Sequence, residues 1–236
     1  MQKVMNYFSA LSLDAEKYGL SKSDIIVEIE NTISDLLSKW YGFDVVAVFQ
    51  GDCQVIAIGY SNSCGLIQQR NIDLNEIKGI PSIRRAIITN LQKGAVLKQV
   101  AQYKKFEREL RWGEITTCDY EQNLYVETEV VPGERVTAVC PLNRISIHER
   151  DNRKFSIGRK RAFHLRRVEP VLLNSTPRLK VILDRVSKTL VENLLKSQLA
   201  MMADKIQIRC VKRYVGHKSI VLTTKPIPKA AIMAVC

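Results

Sequence analysis

The sequence has few of the features by which enzymes and metalloproteins are commonly identified. It contains no Gly-rich phosphate-binding loop, no dinucleotide fingerprint and no Gly-x-Ser-x-Gly nucleophile motif. Its three histidines, His148, His164 and His217, are far apart, and none of its six cysteines forms a Cys-x-x-Cys pair. We therefore expect a protein that is not an enzyme and that uses neither a metal nor another cofactor.

Long apolar runs are missing as well. No stretch approaches the roughly 18 residues that span a membrane, and the first residues lack the apolar core of a signal peptide. Cys118, Cys140 and Cys210 lie within or beside apolar strand-like runs, which fits buried thiols in a reducing compartment. The expectation is a cytoplasmic protein with no membrane partner.

Charge, in contrast, is abundant and unevenly distributed. The 236 residues carry a formal net charge of +12. Residues 1–110 hold 13 Lys and Arg against 12 Asp and Glu, whereas residues 111–236 hold 23 against 12. A basic surplus in one half favours a polyanionic partner such as RNA, DNA or an anionic membrane. The two halves are predicted to have different partners; the alternative is a basic protein without a specific one.

The first 110 residues are predicted to form an α+β unit. Ser21 is expected to be the N-cap of a long helix that Gly42 ends. Two strands follow, at Val45–Phe49 and Val55–Tyr60. A second long helix is predicted after Pro81, where apolar residues recur at helical spacing and end near Trp112.

Residues 111–186 are predicted to form a small β-barrel of the OB type. Thr, Val, Tyr and Ile are frequent in five short runs, which turn residues separate. The predicted strands are Ile115–Cys118, Leu124–Val130, Arg135–Cys140, Phe163–Val168 and Leu179–Leu183.

Residues 187–236 are predicted to form a partial KH-like unit. A helix with an apolar stripe begins at Ser187, and strands are expected at Lys205–Val211 and Ser219–Thr223. The order helix, strand, strand is typical of the first half of a KH-type RNA-binding domain. The complete fold class is therefore α+β with several domains.

The run from Gly158 to Arg167 has the clearest chemistry, with five cations and two rings in ten residues. Single-strand-binding barrels combine stacking rings with cations that neutralise phosphates. Because side chains alternate along a strand, Phe163 would share a face with Arg161, and His164 with Arg166. The predicted RNA-binding residues here are Arg159, Lys160, Arg161, Phe163, His164, Arg166 and Arg167. The alternative is a solvated strand edge kept charged against aggregation.

A second basic cluster surrounds a predicted turn. Lys212, Arg213 and Lys218 are candidates for phosphate contact, with His217 between them. The alternative is an ordinary polar hairpin tip. Glu127 and Glu129 alternate on a predicted strand, and paired carboxylates can bind metal in nucleases. No supporting His or second acidic motif lies nearby, so a solvated sheet face is the favoured interpretation.

Several passages resemble the NusA family of bacterial transcription factors, in the family's order. Leu20–Tyr41 resembles the first helix of its polymerase-binding domain, and Phe155–Arg159 resembles the F-x-x-G-[DR] start of a strand in its S-one-type OB barrel. Leu183–Leu195 resembles the passage from the barrel to the first KH domain and continues into Ile206–Ser219. The chain departs from the family in lacking the G-x-x-G loop and the second KH domain, and Lys188 replaces a helix-starting Pro.

The resemblance implies a factor that binds RNA polymerase through residues 1–110 and nascent single-stranded RNA through residues 111–186. Such a factor would modulate pausing, termination or antitermination. Residues 187–236, unable to complete their own core, are expected to pack against the barrel or against a second copy, forming a homodimer through the C-terminal helix. Two alternatives stay open: an RNA chaperone or ribosome-associated protein, and an RNA-processing nuclease.

Overall fold

The computed structural model describes residues 19–50, 54–63, 66–72, 79–150, 155–215 and 217–235. The fold is α+β, and the chain divides into two compact units. The first unit takes the described residues up to Gln99 together with Pro170–Arg178, and the second takes Val100–Glu169 and the chain from Leu179 onward. The domain boundaries at residues 110 and 186 stay predictions.

Helix α1 spans Lys22–Tyr41, and its predicted ends are confirmed. The Ser21 hydroxyl accepts a hydrogen bond from the Asp24 amide, and the Asp24 carboxylate accepts one from the Ser21 amide, both at 3.2 Å. This capping box satisfies two amides that would otherwise lack partners at the helix start. Gly42 ends the helix with a φ of 73°, in the left-handed region that glycine adopts at little cost.

A three-stranded antiparallel sheet follows α1 in the first unit. Strand β1 spans Asp44–Gln50, β2 spans Gln54–Ser63 and β3 spans Leu66–Ile72, paired in chain order. The first two strands match the predicted runs, whereas β3 was not predicted. Buried apolar residues of α1, the sheet and the next helix form one core cluster: Ile25, Ile29, Ile33, Leu37, Val45, Ala47, Ala57, Ile83, Ile87 and Leu91.

Helix α2 spans Ile80–Lys104, so the prediction that it ends near Trp112 is wrong. Arg108 has a φ of 72°, which is incompatible with a continuing helix, and its amide donates to the Leu165 carbonyl at 2.7 Å. The chain then enters a strand that contains Trp112. Phe106 and Leu110 continue the helical spacing of apolar residues, so periodicity alone could not mark the end.

The second unit contains a closed five-stranded barrel, apart from Pro170–Arg178 at the ends of two of its strands, which belong to the first unit. Its strands are β4 (Leu110–Cys118), β5 (Leu124–Val131), β6 (Glu134–Cys140), β7 (Lys160–Leu173) and β8 (Thr176–Asp184). Their order around the barrel is β4-β5-β6-β8-β7, and β7 closes onto β4. Strands β6 and β8 are parallel, whereas β4 is antiparallel to both β5 and β7. Every predicted barrel strand lies within an observed one.

The chain after the barrel folds as helix, strand, strand and helix. Helix α3 spans Lys188–Leu199, β9 spans Ile208–Tyr214, β10 spans Lys218–Thr223 and α4 spans Lys229–Val235. Short 3-10 helices lie at Leu142–Arg144 and Ile147–Glu149, before β7, and at Ala200–Lys205, after α3.

This C-terminal segment has a core cluster of its own. The buried members are Val191, Leu195, Leu199, Ile206, Ile208 and Ala231. The prediction that the segment cannot complete a core is therefore wrong, because α4, which the sequence analysis missed, contributes Ala231. Helix α3 also contacts β4, and the Asn193 amide donates to the Arg108 carbonyl at 3.0 Å. The homodimer stays a prediction.

Candidate nucleic-acid interface

The basic run on β7 is buried in its middle and exposed at its ends. Ala162, Phe163, His164 and Leu165 are all buried, so both faces of the strand are covered there. The Phe163 ring is fully buried, because a small closed barrel fills its interior with large side chains. The prediction that a base stacks on Phe163 is therefore wrong, and His164, which is 6% exposed, offers no accessible ring either.

The cations at the two ends of the run differ in their surroundings. Arg159 and Lys160 are exposed at the start of β7, and Arg161 is half-buried. Arg166 pairs with Asp184 at 3.2 Å, and that carboxylate is almost fully buried. Arg167 pairs with Glu169 at 3.4 Å on the surface, where an ion pair contributes little and can exchange with a phosphate.

His164 is a buried polar group with an unusual environment. Among the described residues, no well-aligned hydrogen bond reaches either of its buried ring nitrogens, although the Arg108 backbone interacts with the ring. Burial lowers the pKa of His164 below its ordinary value; the Asp184 carboxylate and the hydrogen-bonding interaction with the Arg108 backbone act in the opposite direction, and the Arg166 and Arg108 cations add to the lowering. The neutral imidazole is therefore the form that the folded barrel stabilises.

Arg185 stabilises the region between the barrel and the C-terminal segment. Its guanidinium donates to the Glu149 carboxylate at 2.7 and 3.2 Å and to the Ala162 carbonyl at 2.5 Å. It also lies 5.5 Å from the Phe155 ring centroid and 5.8 Å from that of Phe163. Both members of the ion pair are only 14% exposed. The role of Arg185 could not be recognised in the sequence, because its partners Glu149 and Ala162 are distant from it along the chain.

A cavity of about 520 Å³ lies between the C-terminal segment and the preceding residues Glu149 and Arg185. Apolar side chains of α3 and α4 line much of it, and Arg185, Arg213 and His217 lie among its polar residues. Arg213 is half-buried and donates a hydrogen bond to the Ser187 carbonyl. Burial lowers the pKa of Arg213, although a guanidinium keeps its charge at neutral pH. Arg213 therefore has a backbone partner in the fold, whereas Lys212 and Lys218 contact the exposed Tyr214 ring.

Lys212 and Lys218 are exposed on either side of Tyr214. Their ammonium nitrogens lie 4.9 Å and 5.8 Å from the centroid of the tyrosine ring. The ring itself is 41% exposed. Both lysines are among the predicted RNA-binding residues, whereas Tyr214 is not. An aromatic residue between basic residues is nevertheless a pattern associated with nucleic-acid binding, so the sequence contained a signal for Tyr214.

The outer surface of β4 and β5 carries three glutamates, with Arg135 and Lys160 beside them. Glu114 and Glu127 are opposite each other across the two strands, and Glu129 pairs with Arg135 of β6 at 3.8 Å. Trp112 is 58% exposed and, with these side chains, lines a cavity of about 220 Å³. Within the described ranges, no group of three His, Cys, Asp or Glu residues is arranged to hold a metal ion.

The exposed cations of the predicted interface are thus Arg159, Lys160, Arg166, Arg167, Lys212 and Lys218, of which Arg166 pairs with the buried Asp184. In the part of the chain that the structure describes, no helix is long and apolar enough to cross a membrane. No protein-family model matches the chain, and no match is found among curated proteins.

Proposed function

We propose that this protein is a NusA-like factor that binds RNA polymerase and nascent single-stranded RNA and thereby modulates pausing, termination or antitermination. The observation that carries the proposal is the second unit, in which a closed barrel leads directly into a helix and a basic hairpin. Numbered within the barrel, the strand order is 1-2-3-5-4, with strands 1 and 4 closing it and strands 3 and 5 parallel. We take this barrel as OB-type and the segment after it as KH-like, both of which are RNA-binding modules.

Charge supports the assignment of RNA to the second half of the chain. Residues 111–236 hold 23 basic and 12 acidic residues. Exposed cations occur both at the start of β7 and on the β9–β10 hairpin. Neutralisation of phosphates by such side chains releases counterions from the RNA, which drives binding without sequence preference. Differential binding to alternative polymerase complexes would then shift their populations without making or breaking a bond.

The first unit has a surface suited to a protein partner. Val46 and Val48 of β1 are 46% and 47% exposed, and they lie opposite Ile58 and Ile56 of β2 on one sheet face. Tyr60 extends this face and is 37% exposed. Contiguous exposed apolar residues are typical of protein–protein contacts. We assign this face to the contact with RNA polymerase, in agreement with the near-neutral charge of residues 1–110.

Co-purification of the full chain with core RNA polymerase tests the proposal. The wild-type protein is expected to bind core polymerase, and a Val48→Asp variant should bind more weakly because it puts a charge in the apolar face. In single-round transcription through a hairpin pause site, the wild-type protein should change the pause lifetime. RNA binding without polymerase binding would refute the proposal and favour an RNA chaperone or ribosome-associated protein. Metal-dependent cleavage of the transcript would instead identify a nuclease.

A further inference from the structure

One face of the β9–β10 hairpin is uncovered and has an unusual composition. Directly opposed residues share a face, so Arg209 lies with Leu222, Lys212 with Ile220 and Tyr214 with Lys218. A register shift leaves Val211 without an opposing residue. Such a bulge resets the alternation of side chains, which places Arg209 and Lys212 on the same outer face although three positions separate them.

The inner face of the hairpin is already occupied. Ile208 and Cys210 are buried beneath α3, and Arg213 donates to the Ser187 carbonyl. Among the described residues, nothing covers the outer face comparably: Ile220 is 47% exposed and Leu222 is 61% exposed. The outer face is therefore the one that a ligand can reach.

The outer face combines cations, an aromatic ring and aliphatic side chains without any carboxylate. The segment from Ile208 to Thr223 contains no Asp or Glu. By contrast, the outer surface of the first two barrel strands carries Glu114, Glu127 and Glu129. Glu127 and Glu129 lie on strand 2 of the barrel, and strands 2 and 3 of OB-type barrels are a usual oligonucleotide face. Carboxylates on that surface repel phosphates, whereas the hairpin attracts them.

We infer that the outer face of the β9–β10 hairpin binds single-stranded RNA, with one base stacked on Tyr214 and the next packed on Ile220 and Leu222. This inference rests on the proposed function, because it assigns the RNA to one surface of the second unit. The flanking Arg209, Lys212 and Lys218 contact the phosphates. An exposed contact between an ammonium and an aromatic ring is weaker than base stacking. A base can therefore displace a lysine from the Tyr214 ring, and the freed ammonium then pairs with the phosphate.

Fluorescence anisotropy with a labelled 12-nucleotide oligouridylate and the full chain tests this inference. Loss of one stacked base weakens binding by roughly 5- to 150-fold, so the Kd of Tyr214→Ala should rise within that range. Tyr214→Phe keeps the ring and should bind within about twofold of the wild type. Tyr41→Ala is the matched control: Tyr41 is 47% exposed at the end of α1, in the unit to which no RNA is assigned, so this change should leave the Kd unchanged. Thermal melting confirms that each variant is folded.

The outcomes separate this inference from the proposed function. If the wild-type protein binds the oligonucleotide and Tyr214→Ala binds it equally well, the hairpin surface is wrong while RNA binding stands. If the wild-type protein does not bind the oligonucleotide, both fail. If Tyr214→Ala loses binding to anionic vesicles or to an acidic peptide but keeps RNA binding, the surface belongs to another partner and the inference is overturned.

Discussion

The basic run on β7 and the β9–β10 hairpin have similar compositions but different surroundings. Both contain cations and aromatic rings within a few residues. The β7 run is a strand of a closed barrel, and Phe163 and His164 at its middle are buried. The hairpin belongs to a two-stranded sheet that α3 covers on one side, so Tyr214 and Lys212 stay exposed. The same residue types therefore stabilise the fold in one place and face solvent in the other.

The comparison shows that coverage of a strand, rather than its charge density, decides which residues are accessible to a ligand. On β7, Arg166 pairs with the buried Asp184. On the hairpin, Lys212 and Lys218 both contact the exposed Tyr214 ring. Within the described chain, it is the only aromatic ring that either lysine contacts. A surface cation of this kind is held weakly enough to exchange its contact for a phosphate.

The largest expected difference in stability is between the alanine variants of the two aromatic residues, Phe163 and Tyr214. Phe163→Ala should lower the free energy of unfolding by about 3–5 kcal/mol, because it leaves a cavity in the barrel core. Tyr214→Ala should lower it by less than about 1 kcal/mol, since the ring is partly exposed. Urea denaturation of both variants measures the difference. Equal losses would show that the two rings have equivalent surroundings and would break the comparison.

A smaller difference in stability is expected between variants of two adjacent cations on the hairpin, Arg213 and Lys212. Arg213→Met removes a charge-assisted hydrogen bond to the Ser187 carbonyl and should cost about 1.5–3 kcal/mol of stability. Lys212→Met should lower the free energy of unfolding by less than about 0.5 kcal/mol. It should also reduce the slope of log Kd against log salt concentration by about the value for one phosphate contact. Denaturation curves and Kd values at several salt concentrations test both. A stable Arg213→Met variant with reduced salt dependence would reverse the roles of the two residues.

Much of the fold could be predicted from local patterns. The capping box at Ser21 and the left-handed Gly42 fixed the ends of α1, because caps depend on neighbouring residues. The barrel strands followed from β-branched residues and the turns between them. The end of α2 could not be predicted, because it depends on the pairing of Arg108 with Leu165, which is distant in sequence.

The candidate site was less predictable than the fold. The basic residues were visible in the sequence, but whether Phe163 is a stacking ring or a core residue depends on closure of the barrel. The bulge at Val211, which places Arg209 with Lys212, is a property of strand pairing and has no signature in the composition.

The smallest expected effect concerns the two histidines and the pH. Burial lowers the pKa of His164 in the folded barrel, whereas the unfolded chain titrates near an ordinary histidine pKa of about 6.5. Below that pH the unfolded chain binds a proton that folded His164 does not, so stability should fall as the pH decreases toward the lowered pKa. Above it, both states are neutral and this contribution does not change. For one proton, the unfolding free energy can change by at most about 1.4 kcal/mol per pH unit.

His164→Leu should remove this part of the acid destabilisation, whereas His217→Leu is the matched control because His217 is exposed on the hairpin turn. Asp184 favours protonation of His164 and Arg166 opposes it, so Asp184→Asn should steepen the histidine-dependent loss. Unfolding free energies of these variants between pH 5 and 8 measure the difference, with the unrelated carboxylates contributing equally to wild type and to His164→Leu. An acid slope that His164→Leu leaves unchanged would mean that the folded barrel protonates this imidazole as readily as the unfolded chain does. In that case the middle of β7 would be as accessible to solvent as the hairpin, and the distinction between the two basic segments would fail.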